Sequence, residues 1–321
     1  MNDRRKIIVT GGMGFIGSHL VKRLVEEEAS VTVIEKDPDM RRNIIPDAFL
    51  SKINLIKADI TDENKMNEVV RGVDVIFDLA GRSGAVDSWN DPFADLEVNC
   101  KGHLTLLEAC RKYNPEAKYI FPGTRLEFGP PQYLPVDEKH PFNPQSIHAI
   151  HKLTVEKYCS AYYHRYGLRT IVLRIANPYG PFPPQVQRTY NIVNNFIWAI
   201  MHGEKVSVFG DGSQIRDYIY IDDLVDLMLQ FANQDKYGGE VFNVGTGKPT
   251  RLIDMVKTII KVLGKGEYQC VPWPKSYAEV ETGDYYSDIK KVQGLIGWKP
   301  RMDLEPGISK TIEFYRKIKV L

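Results

Sequence analysis

The chain has 321 residues, room for one large α/β domain and a smaller companion. Its 42 Lys and Arg against 41 Asp and Glu leave a formal charge of +1, which argues against nucleic acid or an anionic membrane as a partner. The four cysteines (Cys100, Cys110, Cys159 and Cys270) have no metal-ligand spacing and are too few for a disulfide framework, so reduced, mostly buried thiols are expected.

The opening Met-Asn-Asp-Arg-Arg-Lys leads into a short strand and resembles neither a signal peptide nor a membrane span. No later apolar run is long enough to cross a bilayer, and a soluble, cytoplasmic protein is expected. Lys6 to Thr10 is β-branched, Ser18 to Glu28 has helical periodicity, and Val31 to Glu35 is β-branched again. The chain therefore opens with a βαβ unit. Between its first strand and helix lies Gly11-Gly12-Met13-Gly14-Phe15-Ile16-Gly17. Gly11 suits a tight turn, Gly14 a close approach of backbone to a pyrophosphate, and Gly17 the packing of helix on strand. Phosphates at that helix N-terminus would meet unpaired N–H groups and the positive end of the dipole. Glu35 ends the second strand roughly twenty residues on, as a dinucleotide fingerprint asks. Its carboxylate can accept both ribose hydroxyls of NAD and repels a 2′-phosphate. Lys36 and Arg41 follow closely as candidates to offset that repulsion, so NAD is favoured over NADP.

The alternation continues. Asn54 to Ala58 is a strand ending at Asp59-Ile60, Asp62 to Val70 is helical, and Val73 to Leu79 is a strand ending in Ala80-Gly81. Asp59-Ile60 would lie where an adenine ring is held and Leu79-Ala80-Gly81 where backbone passes close to the cofactor, although either is also an ordinary strand end. Asn99 opens a helix through Tyr113, and Lys118 to Phe121 is the next strand, with Pro122-Gly123-Thr124 placing a hydroxyl at its tip. In the long helix ending at Tyr166, His148 and Lys152 stand one turn apart on the same face. This β-α order predicts a parallel, doubly wound sheet with ligands at the strands' C-terminal ends.

After the strand Thr170 to Ile175 comes Asn177-Pro178-Tyr179-Gly180-Pro181-Phe182-Pro183-Pro184, which should not continue regular structure and marks a domain boundary. Tyr190 to His202 reads as helix, Val206 to Phe209 as strand and Gly210-Asp211-Gly212 as turn. Arg216 to Ile221 leads into a helix at Asp222. Leu252 to Leu263 is helical, and a last helix follows Gly297-Trp298-Lys299-Pro300. The expected division is a nucleotide-binding domain over 1–176, completed by about 217–244, and a smaller α/β substrate domain over 177–216 and 245–321.

Taken together, Gly11/Gly14/Gly17, Asp59-Ile60, Asn99, Thr124 with Phe128-Gly129, Lys152, Arg174 to Pro181, Gly210 to Asp223 and Gly297-Trp298-Lys299-Pro300 carry a likeness over nearly the whole chain. The sequence resembles the extended short-chain dehydrogenase/reductases, in the branch of NAD-dependent nucleotide-sugar epimerases and dehydratases. That resemblance implies that Lys152 binds the nicotinamide ribose and lowers the pKa of the proton acceptor. It also implies that Thr124 hydrogen-bonds the sugar hydroxyl, and that Asn177 and Arg216 face the substrate diphosphate. A guanidinium offers phosphate a bidentate fork; the competing reading of Arg216 is an ion pair with Asp217 or Asp222.

Three departures stand out. The family's catalytic tyrosine is here His148. Its dehydratases follow the strand-end threonine with an Asp-Glu pair, whereas Thr124 is followed by Arg125-Leu126, with Glu127 one residue late. Its arginine two residues before Gly283 is here Glu281. The leading reading is NAD-dependent oxidation or epimerisation at a sugar hydroxyl, expected at C4, of a nucleotide-linked sugar. The alternative is a non-catalytic binding protein that lost its tyrosine, and dehydration ranks below both. An imidazole is largely neutral at pH 7 and can accept a proton, but it is shorter than a phenol by roughly 2 Å. His148 as the base therefore competes with His148 as packing, with His151 or Tyr179 as the base, and with a metal on the two histidines, for which no third ligand is evident. Apolar residues on several faces of the helices Asn99–Tyr113 and His148–Tyr166 suggest a homodimer, as the resemblance implies, or a higher symmetric oligomer, against a face buried within the monomer.

Overall fold

A computed structural model describes residues 4–38, 47–182 and 191–318. In chain order its elements are β1 (Lys6–Thr10), α1 (Phe15–Glu26), β2 (Ser30–Glu35), α2 (Asp47–Leu50), β3 (Asn54–Lys57), α3 (Glu63–Val69), β4 (Val75–Asp78), α4 (Ala85–Asn90), α5 (Pro92–Leu96), α6 (His103–Tyr113), β5 (Lys118–Thr124), α7 (Ile147–Tyr166) and β6 (Arg169–Ile175). There follow β7 (Asn177–Tyr179), α8 (Ile192–Met201), β8 (Val206–Phe209), β9 (Ile215–Arg216), β10 (Tyr218–Tyr220), α9 (Ile221–Ala232), β11 (Val241–Val244), β12 (Thr250–Arg251), α10 (Leu252–Leu263), β13 (Tyr268–Val271), α11 (Lys275–Ala278), α12 (Lys290–Ile296) and α13 (Leu304–Lys317). The main sheet has seven strands in the order β11-β6-β5-β4-β1-β2-β3. It is the doubly wound parallel sheet that the β-α alternation predicts, with β1 paired in parallel to β2 and β4. The order reverses between β1 and β4, and crevices that bind ligands form at such a switch point.

Met1–Thr124, Ser146–Arg174 and Val225–Val241 form one compact unit, and Arg125–Gln145, Ile175–Leu224 and Phe242–Leu321 form a second. Residues 125–145, which local pattern leaves in the first domain, pack with the second unit. Phe128 and Val136 are fully buried in a cluster with Ala176 and Tyr285, and the Asn243 amide donates to the Val136 carbonyl at 2.9 Å. The return of 225–241 to the first unit also has a specific anchor. The buried Lys118 ammonium donates to the Phe231 and Ala232 carbonyls at the end of α9, at 3.0 and 2.8 Å. Orphan carbonyls at a helix end are good partners for a cation.

Two expectations are corrected. Asn99 does not open a helix: the helical run begins at Pro92, capped by the Asp91 carboxylate on the Ala94 N–H, and Asn99 lies in a π-helical turn, Glu97–Gly102, between α5 and α6. The segment after Asn177 does continue regular structure, because β7 pairs in parallel with β10 through Pro178. A proline is tolerated there because the two-stranded ladder leaves an edge where no N–H is needed. The expected helix start Tyr190, like Pro183 and Pro184, lies outside the described residues.

α7 carries the candidate site residues His148 and Lys152. Ser146 caps it, accepting from the Ala149 N–H at 3.2 Å, and Gly167 ends it at φ 71°. Its buried face is His148, Lys152, Val155, Glu156 and Cys159, a helical repeat that lays both site residues on the side facing the sheet. Glu156 then locks the helix to β6: Arg174 donates Nε and Nη2 to its two carboxylate oxygens at 2.7 and 2.8 Å, with both side chains buried. Removing Arg174 takes the bidentate partner from a buried carboxylate and leaves it the more exposed Lys157 ammonium at 3.0 Å. Arg174→Met should therefore lower unfolding free energy by about 3–5 kcal/mol in urea titration. A loss below about 1 kcal/mol would mean that the pair does not hold α7.

Candidate active site

In the first unit, Gly11 turns at φ 61°, and a Cβ there would come within 2.8 Å of the Ala80 Cα. A Cβ on Gly17 would lie 2.4 Å from the Gly11 carbonyl oxygen, so the loop and α1 close on each other only with hydrogen at both positions. Gly14 caps α1 and, having no side chain, makes no capping hydrogen bond at the helix start before Phe15 and Ile16. The buried Glu35 carboxylate reaches back from the end of β2 and accepts the Met13 N–H at 3.3 Å. Lys36, a candidate to favour NADP, is instead paired with Asp59 at 2.8 Å. Desolvation raises the Asp59 carboxyl, but Lys36 and two bonds from Thr61 outweigh it and hold the group below its ordinary value. Arg41 lies outside the described residues. Ile60 is buried under this strand end.

The neighbouring strand end is fixed from beneath. Asp78, fully buried, accepts the Thr10 hydroxyl at 2.7 Å, the His103 Nδ1–H at 2.6 Å and the Tyr119 hydroxyl. Thr10 in turn accepts the Ala80 N–H at 3.0 Å, and Leu79 donates to the Phe77 carbonyl. An uncapped helix start, a glycine loop with no room for side chains and a carboxylate where a ribose would sit all fit a bound dinucleotide lacking a 2′-phosphate.

Asn99 connects this region to α7. Its Oδ1 accepts the Arg82 N–H at 3.0 Å and its Nδ2 donates to the Arg82 carbonyl at 2.9 Å, which fixes the orientation of the amide. A Cβ on Gly81 would sit 3.0 Å from the same Oδ1. The second Nδ2 hydrogen faces His148 Nδ1 at 3.4 Å. A donor against Nδ1 leaves that nitrogen as the acceptor, so the neutral ring carries its hydrogen on Nε2. The His148 backbone N–H is held by Ser88 Oγ at 3.0 Å.

Burial, and then the Lys152 charge one turn away, push the His148 imidazole down to about 4. The nearest carboxylate, Asp95, stands 3.9 Å from Nδ1, too far for a hydrogen bond, and its attraction does not reverse the shift. Asp95 is committed instead to His151, whose Nδ1 lies 2.6 Å from it. The Lys152 ammonium lies 4.2 Å from the centre of the Phe121 ring. Thr124 ends β5, half-buried.

The other candidate bases fare worse. Tyr179 is buried in the second unit, its hydroxyl turned to the Leu304 carbonyl at 3.3 Å, and desolvation raises its phenol far above the ordinary value. Among the described residues no group of three His, Cys, Asp or Glu side chains is placed to hold a metal.

In the second unit, Arg216 is buried and its partner is neither Asp217 nor Asp222. Its Nη2 donates to Glu281 at 2.6 Å and its Nη1 to the Ile215 and Gly283 carbonyls at 2.8 Å each. Asp217 is taken up by Thr246, Gly247 and Ser287. Asn177 accepts from the Arg125 Nε at 3.0 Å. Reading the sequence passed over Ser88, Asp95 and the Arg125 contact; only the position of Arg125 beside Thr124 could have flagged one of them.

The family profile described as NAD dependent epimerase/dehydratase matches residues 7–245, most of the chain. The chain belongs to that family. It is accordingly an NAD-dependent enzyme, which sets aside the non-catalytic alternative. It is 32% identical to a putative UDP-glucose 4-epimerase of Methanocaldococcus jannaschii over 97% of this chain and 98% of that one. The solved UDP-glucose 4-epimerase of Thermotoga maritima, with UDP-glucose, is 31% identical at a TM-score of 0.85, covering 98% of this chain and 99% of that one. The UDP-N-acetylglucosamine 4-epimerase of Methanobrevibacter ruminantium, in complex with UDP-N-acetylmuramic acid, has a TM-score of 0.89 at 26% identity, covering 98% and 99%. Relatives named dTDP-D-glucose 4,6-dehydratase, such as that of Homo sapiens at 27% identity over 98% of this chain and 90% of that one, also match. Among the described residues no helix is long and apolar enough to cross a membrane.

The geometry at His148 has a spectroscopic consequence. Nitrogen-resolved NMR should find the ring neutral and protonated on Nε2 at neutral pH, titrating only as the pH falls towards about 4. Lys152→Met should raise that titration point. A ring protonated on Nδ1, or one titrating near the unperturbed value of about 6.5, would contradict the arrangement.

Proposed function

We propose that the enzyme epimerises a nucleoside-diphosphate sugar at its C4 hydroxyl. The observation that carries this reading is the buried pair His148 and Lys152, one turn apart on α7, with His148 against Asn99, in a unit that also holds a dinucleotide loop. The names of the relatives support the position and the nucleotide. NAD, when bound, would supply a reversible hydride acceptor for the carbon that bears the hydroxyl, and epimerisation follows if the hydride comes back to the opposite face.

The chain's own residues have separate tasks. The glycine loop and the α1 N-terminus hold the cofactor diphosphate, and Glu35 binds the adenosine ribose while rejecting a 2′-phosphate. Asp59 and Ile60 border the adenine, and Ala80, Gly81 and Asn99 border the rest of the cofactor. Lys152 binds the second ribose and places a cation beside the reacting oxygen. Thr124 hydrogen-bonds that oxygen from the end of β5. Asn177 and Arg216 face the substrate diphosphate.

His148 acts as a neutral hydrogen-bond donor. A base with a conjugate acid near 4 has little affinity for a proton at neutral pH, and its lone-pair nitrogen is occupied by Asn99. Its Nε2–H can stabilise the sugar oxygen as negative charge grows on it, and one such donor is worth roughly 10²–10³ in rate. The hydroxyl proton then passes to solvent water, and water returns a proton to the oxygen when the hydride is delivered back to the carbon. Dehydration is disfavoured because Arg125 follows Thr124 where an acid is needed. Exposed Trp89, Phe93, Leu96 and Ile150, with Phe93 78% accessible, support assembly as a homodimer through the first unit.

The test is product analysis. Proton NMR of UDP-glucose incubated with enzyme and NAD should show UDP-galactose accumulating, at a rate that Lys152→Met lowers roughly a hundredfold or more. A 4-keto-6-deoxy sugar in place of the epimer would overturn the reading.

A further inference from the structure

We propose that Arg125 and Arg216 form a two-guanidinium anion site in the second unit, with Glu281 as a built-in competitor that the substrate's anionic group displaces. The proposal rests on the nucleotide-sugar reading above and names the chemistry that one part of that substrate meets.

The support is an imbalance of charge. Arg216 has a carboxylate partner, Glu281, whose Oε1 also accepts the Gly283 N–H at 2.9 Å. Arg125 has none. Its Nε donates to Asn177 Oδ1 at 3.0 Å and its Nη1 to Thr282 Oγ1 at 3.1 Å, and neither acceptor carries a charge. The Tyr285 ring lies 5.4 Å from its guanidinium carbon. Desolvation, and then the like charge of Arg216, push Arg125 down to about 10, with Glu281 the one carboxylate acting the other way. Two guanidiniums thus share one carboxylate in a largely desolvated setting.

Such an arrangement carries one uncompensated positive charge, which is unfavourable in the free protein and is relieved by an anion. The neutral acceptors Asn177 and Thr282 hold the Arg125 plane without neutralising it. A planar fork held in this way suits phosphate or carboxylate oxygens better than a flexible ammonium would. Glu281 has the opposite effect: an anion approaching Arg216 meets a carboxylate already in place, so binding there requires Glu281 to move aside. Arg125 has no such competitor of its own and is the stronger of the two contacts.

Two parts of a sugar nucleotide could supply the anion, the diphosphate or an acidic group on the sugar. Calorimetric titration of the full chain with UDP, UDP-glucose and UDP-glucuronic acid separates them. Arg125→Gln should weaken binding roughly tenfold or more, as expected for losing a hydrogen bond to a charged group. Arg125→Lys, which keeps the charge and loses the fork, should fall between parent and Arg125→Gln. Glu281→Gln should tighten binding several-fold, and NAD affinity should be unchanged in all three variants. Equal weakening for the three ligands places the diphosphate at Arg125; weakening confined to UDP-glucuronic acid places a sugar carboxylate there. Unchanged affinities for all three in Arg125→Gln, or weaker binding in Glu281→Gln, would overturn the proposal. A parent enzyme that binds NAD and none of the three ligands would instead overturn the nucleotide-sugar reading itself.

Discussion

One side-chain amide, that of Asn99, joins the backbone at Arg82, beyond the end of β4, to the helix that bears His148 and Lys152. With both of its ends fixed on the backbone of Arg82, the amide has a single hydrogen left, and that hydrogen faces the imidazole. The π-helical turn is what makes this possible. Its i→i+5 bonding inserts an extra residue between α5 and α6 and swings position 99 out of the register that an uninterrupted helix would give it. A single irregularity in the backbone thus decides which nitrogen of His148 carries its hydrogen, and through that what the ring can do.

Electrostatics acts in opposite senses in the two units. In the first, burial and one lysine remove charge from a histidine, so that the proposed contact to the sugar oxygen is a neutral donor. In the second, two arginines are set against one carboxylate, so that positive charge is concentrated. Each arrangement is unfavourable when judged as a contribution to stability alone, and each is held by ordinary structural bonds: Ser88 on the His148 backbone, Asn177 and Thr282 on Arg125. Strained or uncompensated groups of this kind cluster at functional sites because the surrounding fold over-determines them. The buried Arg174–Glu156 pair and the Asp78 network do the over-determining in the first unit.

The fold was legible where short-range pattern carries it. Alternating β-branched runs and helical periodicities gave the parallel sheet, and the spacing of Gly11, Gly14 and Gly17 marked the tightly closed loop ahead of α1. What escaped depends on contacts distant in sequence. Asn99 reads as a helix start because a π turn has no distinct periodicity. Residues 125–145 look like a loop of the first domain until Phe128 and Val136 meet Ala176 and Tyr285. Arg216 has the acidic sequence neighbours Asp217 and Asp222, whereas its partner lies far along the chain at Glu281. His148 was recognisable as a substitution, but its protonation state depends on Lys152, Asn99 and the depth of burial together, and only the first is readable from spacing.

The central claim, that position 148 works as a neutral donor through Nε2, is tested most directly by the pH dependence of turnover in His148→Gln. The amide nitrogen of glutamine reaches about where Nε2 does and donates a hydrogen bond, but it cannot take up a proton. The account predicts turnover within about tenfold of the parent and the same pH profile. A loss of roughly 10²–10⁴, with the disappearance of an acid limb present in the parent, is the signature of a general base and would contradict it.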